Sequence, residues 1–150
     1  MKQNSNAVAE IQVSYKPDLT NCPKIKNSGD VFKNFLPFFN DDTIALSERL
    51  FVGYLNRGNM LKGIIEHSKG GLTGTPMDMR LILSVALKTA ATGIVLAHNH
   101  PSGNLNPSES DISTTQKLKA NCRLFEIELI DHIIISPTGD YYSMAENNLL

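Results

Sequence analysis

His98, His100 and Asp111 are the residues of this chain whose types and spacing suit chemistry most directly. They belong to the run His98-Asn99-His100-Pro101-Ser102-Gly103, followed by Ser108 and Asp111, which reads as H-x-H, seven residues, then S-x-x-D. Two imidazoles and one carboxylate form a three-ligand set of the kind that leaves a fourth position open on a zinc ion. Water held at that position becomes a usable hydroxide near neutral pH. The chemistry implied is hydrolysis by an activated water, with one zinc per chain.

Positioning such a set requires particular elements. Gly93-Ile94-Val95-Leu96-Ala97 is a short apolar run ending at His98, as in a buried strand. Side chains repeat every second residue along a strand, so His98 and His100 share a face. Their Cα atoms then lie roughly 6.5–7 Å apart, within reach of one ion. Pro101-Ser102-Gly103 ends the strand in a turn. Beyond it Ile112, Thr115, Leu118, Lys119 and Cys122 recur at helical spacing, which places Asp111 in the first turn of the next helix. Asn99 points away from its neighbours and reads as structural or as a support behind the ligands. Each piece also has a plainer meaning. Ser108-x-x-Asp111 is the spacing of a capping box, and paired histidines suit a solvated sheet rim. The coincidence of strand end, turn, cap and carboxylate favours a metal site.

The pattern His98-x-His100, seven residues, Ser108-x-x-Asp111 resembles the JAMM motif of JAB/MPN metalloprotease-like domains. The wider context, Leu96-Ala97-His98-Asn99-His100-Pro101-Ser102-Gly103, is similar to RadC-like proteins. So are Gly70-Gly71-Leu72-Thr73-Gly74-Thr75, Ile130-Asp131-His132-Ile133-Ile134-Ile135 and Asp140-Tyr141-Tyr142-Ser143-Met144. The resemblance runs from about Ile11 to Leu150 and implies a three-layer α-β-α domain similar to cytidine deaminases. It also implies an upstream glutamate as general acid/base. Glu10, Glu48, Glu66 and Glu109 are the candidates. Glu48 stands where the family's glutamate stands, just before Leu50-Phe51-Val52, and Glu66 is the runner-up. On this reading Glu48 takes the proton from the attacking water and passes it to the leaving amine. Ser108 donates a hydrogen bond to the oxyanion, while also serving as a helix cap.

Other chemistries lack their residues. His-Asn-His is contiguous here, whereas HNH nucleases disperse those letters. H-x-E with a later P-C-x-x-C is absent, as are H-E-x-x-H and G-x-x-x-x-G-K-[ST]. Fourteen basic and fifteen acidic residues give a net charge of −1, without the basic stripe that phosphate neutralisation requires. Lys117, Lys119 and Arg123 recur as a solvated helix face. Full-length RadC proteins carry a further helix-hairpin-helix region for which these 150 residues leave no room. A DNA-repair role is therefore the alternative to amide hydrolysis. Neither a spanning apolar run nor a signal-like start is present, and Cys22 and Cys122 have no partner spacing, so the expected location is the cytoplasm.

The remaining pattern predicts a flexible segment over 1–10 and one α/β domain over 11–150 with a mixed sheet. Ile11 to Tyr15 alternates like a strand. Ser28-Gly29-Asp30 starts a helix carrying Val31, Phe32, Phe35 and Leu36. Phe32, Phe35, Phe38 and Phe39 are expected in the core, with one or two left for a self-association surface. Leu50 to Leu55 and Met60 to Glu66 form a hairpin around Asn56-Arg57-Gly58-Asn59. Asp78 starts a helix reaching Ala90, and Phe125 to Ile130 and His132 to Ser136 read as two strands. His132, set among isoleucines, is either a satisfied core histidine or a residue that orients a ligand. His67 carries no signal.

Overall fold

The computed structural model describes residues 8–9, 11–39, 42–70 and 76–150. The helix α1 spans Ser28–Phe35 and runs into a single 3-10 turn, Leu36–Phe38. Strands β1 (Arg49–Leu55) and β2 (Leu61–Lys69) are followed by α2 (Met79–Lys88), β3 (Gly93–Asn99), α3 (Glu109–Arg123), β4 (Glu128–Ile135) and β5 (Tyr141–Ser143). The sheet order is β2-β1-β3-β4-β5. β3 and β4 are parallel and the other pairs antiparallel, so the sheet is mixed, as the sequence predicts.

Two apolar layers close the sheet. On one face Val31, Phe35 and Phe39 pack against Phe51, Val95 and Ile133. On the other, Ile82, Ala86, Leu118 and Cys122 pack against Val52, Ile94 and Leu96. The three-layer α-β-α architecture follows directly, with α1 on one side and α2 and α3 on the other. The α1 layer is tight: a Cβ on Gly53 would lie 2.7 Å from the Phe35 ring. β3 is buried along its whole length because it is central and covered on both faces. A one-residue slip of β3 would exchange its two buried faces and strip His98 of His132 and Asn99 of Ile44 O, leaving buried polar groups unpaired, so it is strongly opposed. That register fixes where His98 stands.

Local signals explain the element ends. Asn27 caps α1, its Oδ1 accepting from Asp30 N at 2.9 Å. Asp78 caps α2, accepting from Arg80 N at 3.0 Å. The Asn56–Asn59 turn forms as expected, with Asn59 at φ 58° and Asn59 N donating to Asn56 O at 2.9 Å. α2 stops at Lys88 rather than reaching Ala90, which adopts φ 49°.

Three further expectations need correction. Ile11 to Tyr15 forms no strand; Ile11 and Val13 are 87 % and 73 % exposed. Alternation without a partner strand gives no ladder, and the segment first joins the sheet at the Lys24–Met60 bridge. Phe125 to Ile130 and His132 to Ser136 are not two strands. They are replaced by one continuous strand starting at Glu128, after a turn in which Glu126 takes φ 56°. Phe38 is 45 % exposed, outside the core that takes Phe35 and Phe39. The flexible segment expected over 1–10 falls almost wholly outside the described residues, as do Glu10 and Gly71 to Thr75. Among the described residues no helix is long and apolar enough to cross a membrane.

Candidate metal centre

His98 is the penultimate residue of β3, on the α2/α3 side of the sheet, and is 4 % exposed. His100 follows one residue past the strand, its N–H still donating to Ile135 O at 3.1 Å. The chain then turns, with Gly103 at φ 79° and its N–H on His100 O at 3.0 Å. A left-handed φ of this kind is costly for residues other than glycine. The turn brings Asn104 O to 2.6 Å from His100 Nδ1, which donates to it and leaves Nε2 facing inward. Asp111 arrives from the first turn of α3. There Ser108 N donates to Asp111 Oδ2 at 2.7 Å and Asp111 N donates to Ser108 Oγ at 3.0 Å, a complete capping box.

The three donor atoms converge. His98 Nε2 and His100 Nε2 are 2.9 Å apart. Asp111 Oδ1 lies 3.6 Å from the first and Oδ2 3.4 Å from the second. Atoms bound tetrahedrally to one ion at about 2.1 Å would be separated by roughly 3.4 Å. The two ring nitrogens and the nearer carboxylate oxygen to each ring fall within about half an ångström of that spacing, with Oδ1 facing His98 and Oδ2 facing His100. Among the described residues this is the group of histidines and acids gathered closely enough to hold a metal ion, with all ligand atoms within 4.8 Å.

A cavity of about 410 Å³ opens on these atoms and is lined also by Glu48, Ser108 and Met77. The structure therefore brings all five residues singled out by the motif and resemblance to one place. Glu66 is elsewhere, its Oε1 held by Arg49 Nε at 2.8 Å. Glu109 does not line the cavity. Asn99, on the opposite face, anchors the Glu48 segment: Nδ2 donates to Ile44 O at 2.7 Å and Ser47 O at 2.9 Å, and Oδ1 accepts from Arg49 N at 2.8 Å. Glu48 O in turn accepts from Gly70 N at 2.8 Å. The glutamate is thus bracketed on both sides along the backbone.

His132 and Thr115 complete the surroundings, and their joint role was not legible in sequence. His132 is 1 % exposed, its Nε2 2.7 Å from His98 Nδ1 and its Nδ1 2.7 Å from Thr115 Oγ1. It is both a satisfied buried histidine and a neighbour of a ligand. The available signal was a lone polar residue, Thr115, on the apolar stripe of α3. His67, without a signal in sequence, accepts from Asp78 N at 2.9 Å and so supports the start of α2.

Protonation follows from burial and partners. Burial pushes His98 down to about 4, against the pull of Asp111 and with a further push from His100. Its contact with Asp111 is therefore not an ion pair at neutral pH. His100 goes the other way: the Asp111 hydrogen bond raises it, outweighing burial, and the Asn104 carbonyl and Glu48 charge add to the rise. Burial opposes the Asp111 charge, yet hydrogen bonds from His100 and Ser108 and the nearby His98 hold that carboxyl well below the carboxylate range. Burial, with His98 alongside, keeps His132 well below the usual histidine range.

A metal ion takes neutral imidazole, so it must displace whatever protons the rings carry. His100 holds a proton to higher pH than an ordinary histidine, whereas His98 is already neutral above about 4. Affinity should accordingly weaken about tenfold per pH unit as pH falls below the His100 value, with one proton exchanged per ion. Chelator-competition titrations across pH measure this. Two protons per ion over the same range would contradict the assignment.

A mixed sheet between helix layers, with two histidines at a central strand's end and a carboxylate on the following helix, defines the JAB/MPN class of α/β domains. Within that class, this chain belongs to the RadC-like JAB domain family, which matches residues 25–149. It is 36% identical over 132 residues to a UPF0758 protein of Flavobacterium johnsoniae, covering 88% of this chain and 56% of that one. Identity to a UPF0758 protein of Porphyromonas gingivalis is 37% over 126 residues, 84% of this chain and 54% of the relative. A third, from Acidovorax sp. (strain JS42), is 42% identical over 97 residues, 65% of this chain and 40% of its own length. The chain spans about half the length of the first two relatives.

Proposed function

We propose that this domain is a zinc-dependent hydrolase of a peptide or isopeptide-like amide bond. The observation that carries the proposal is the convergence of His98 Nε2, His100 Nε2 and the Asp111 carboxylate in a cavity also lined by Glu48 and Ser108. His98, His100 and Asp111 would hold the zinc, one ion per chain. Two nitrogens and one oxygen suit zinc, which when bound supplies a water acidified toward a pKa of about 7.

The chain's own groups carry the remaining steps. Glu48 accepts the proton of the attacking water and delivers it to the leaving amine, the two halves of general acid/base work. Its backbone is fixed through Asn99 and Gly70. Ser108 caps α3 with a lone pair, accepting from Asp111 N. The hydroxyl proton is not consumed by that bond and can turn to the oxyanion of the tetrahedral intermediate. Helix capping and oxyanion stabilisation thus draw on different sites of one hydroxyl. A cytoplasmic location suits the two free thiols, Cys22 and Cys122.

The test is elemental analysis of the wild type beside His100→Ala and Asp111→Ala. About one zinc per chain is expected in the wild type and none in either variant, since two remaining ligands hold zinc poorly. A wild type without stoichiometric metal, even after zinc is supplied, would overturn the hydrolase reading. The family's name favours a second reading, a non-proteolytic metal-binding protein of DNA repair. A salt-sensitive affinity for branched or single-stranded DNA would support it, although the net charge of −1 weighs against it.

A further inference from the structure

Thr115 is the one fully polar member of the buried stripe of α3, which otherwise continues through Leu118 and Cys122. Its Oγ1 lies 2.6 Å from Asp111 O and donates to it, because a carbonyl can only accept. The hydroxyl has a single proton, so toward His132 Nδ1, 2.7 Å away, it must accept. His132 therefore carries its proton on Nδ1. A neutral imidazole has one N–H, which leaves His132 Nε2 bare and obliges it to accept from His98 Nδ1 at 2.7 Å. His98 is thereby protonated on Nδ1 and bare on Nε2, the atom aimed at His100 and Asp111. The bonds form one directed chain from His98 Nδ1 through His132 and Thr115 to the Asp111 carbonyl.

We infer that Thr115 and His132 act as positioning residues that lock the His98 tautomer, so that Nε2 presents its lone pair to the metal. The inference rests on the proposed metal centre and deepens it. Neither residue touches the ion; both act through His98. Were the chain reversed, His98 would carry its proton on Nε2 and could not serve as a ligand there. The carbonyl at the far end forbids that reversal. Asp111 therefore contributes twice, its carboxylate as a ligand and its main-chain oxygen as the terminus of the relay. His100 reaches the same state by a shorter route, through Asn104 O. Ligating histidines generally donate their second ring nitrogen to such an acceptor, and losing the acceptor costs about 10- to 100-fold in metal affinity.

Thr115→Val is nearly isosteric and removes the hydroxyl, whereas Thr115→Ser keeps it. Zinc affinity measured by chelator competition should fall about 10- to 100-fold in Thr115→Val and return to near the wild-type value in Thr115→Ser. Nitrogen-15 spectra of the metal-free protein at about pH 8, where unperturbed rings are neutral, should show His98 protonated on Nδ1 in the wild type and in Thr115→Ser. The same signal should lose that fixed state in Thr115→Val. Wild-type affinity in Thr115→Val, or an unchanged His98 tautomer, would overturn the relay while leaving the metal centre intact. A wild type that binds no zinc would overturn the metal centre itself. Should Thr115→Val fail to fold, His132→Gln and His132→Leu make the same comparison. The Gln amide can accept from His98 and donate to Thr115, so it should retain affinity that Leu loses; equal loss in both would refute the relay.

Discussion

Glu48→Gln is expected to reduce amide hydrolysis by about 100- to 10,000-fold, the range contributed by a positioned general acid/base. Zinc content should be unchanged. Gln has nearly the size and shape of Glu but neither takes the water's proton nor returns it to the amine. The substitution also leaves the backbone anchoring alone, because this segment is held by Asn99 Nδ2 donating to Ser47 O, Arg49 N donating to Asn99 Oδ1, and Gly70 N donating to Glu48 O. The comparison is made on whichever peptide or isopeptide substrate the wild type cleaves, with metal content and unfolding temperature measured in parallel. A drop in metal content would move Glu48 from proton transfer to ligand support. Full activity with full metal would remove it from the mechanism. Ser108→Ala provides a scale: loss of a single oxyanion donor typically costs about 100- to 1000-fold.

Asn99→Ala should have the largest effect on stability, about 2–4 kcal/mol in urea unfolding. Asn99 is fully buried, and its amide satisfies three main-chain groups, Ile44 O, Ser47 O and Arg49 N. Each such group left unpaired costs about 1–3 kcal/mol when buried, and less where water can reach it. The bond to Ile44 O is buried and the other two are partly so, which sets the middle of the range. Asn99→Asp should be no gentler, since it keeps the shape but turns a carboxylate toward two carbonyls. Either variant should also loosen Glu48, lowering turnover more than metal content. A destabilisation under about 1 kcal/mol would mean that the segment is held by its apolar contacts instead.

The metal motif was legible because its parts obey local rules. A strand alternates, so His98 and His100 read as one face while Asn99 reads as the other. A capping box has a fixed spacing, so the sequence alone puts Asp111 in the first turn of a helix. The hairpin at Asn56 to Asn59 was similarly local. Glu48 was reached by resemblance alone, since nothing in its neighbours distinguishes a general base from a solvated strand start. What stayed hidden depends on distant partners. Ile11 to Tyr15 has the alternation of a strand but no neighbour to pair with. Asp131 falls between the two stretches expected as strands, Phe125 to Ile130 and His132 to Ser136. Its carboxylate instead accepts from Ser143 Oγ, Ala145 N and His132 N, which lets it lie buried inside one continuous strand. Thr115 and His132 come from different elements, so no spacing rule connects them.

That continuous strand is not regular. β3 pairs Ile94 with Leu129 but Val95 with Asp131, so β4 carries one extra residue at Ile130. Counting by twos from Leu129 would turn His132 toward the α1 layer; the additional residue reverses the parity and sends it to the layer that holds His98 and Thr115. The reach of the histidine pair into the fold is therefore a matter of counting. A chain one residue shorter at this point would keep every letter of the motif, and its cap, yet face the wrong way one strand over.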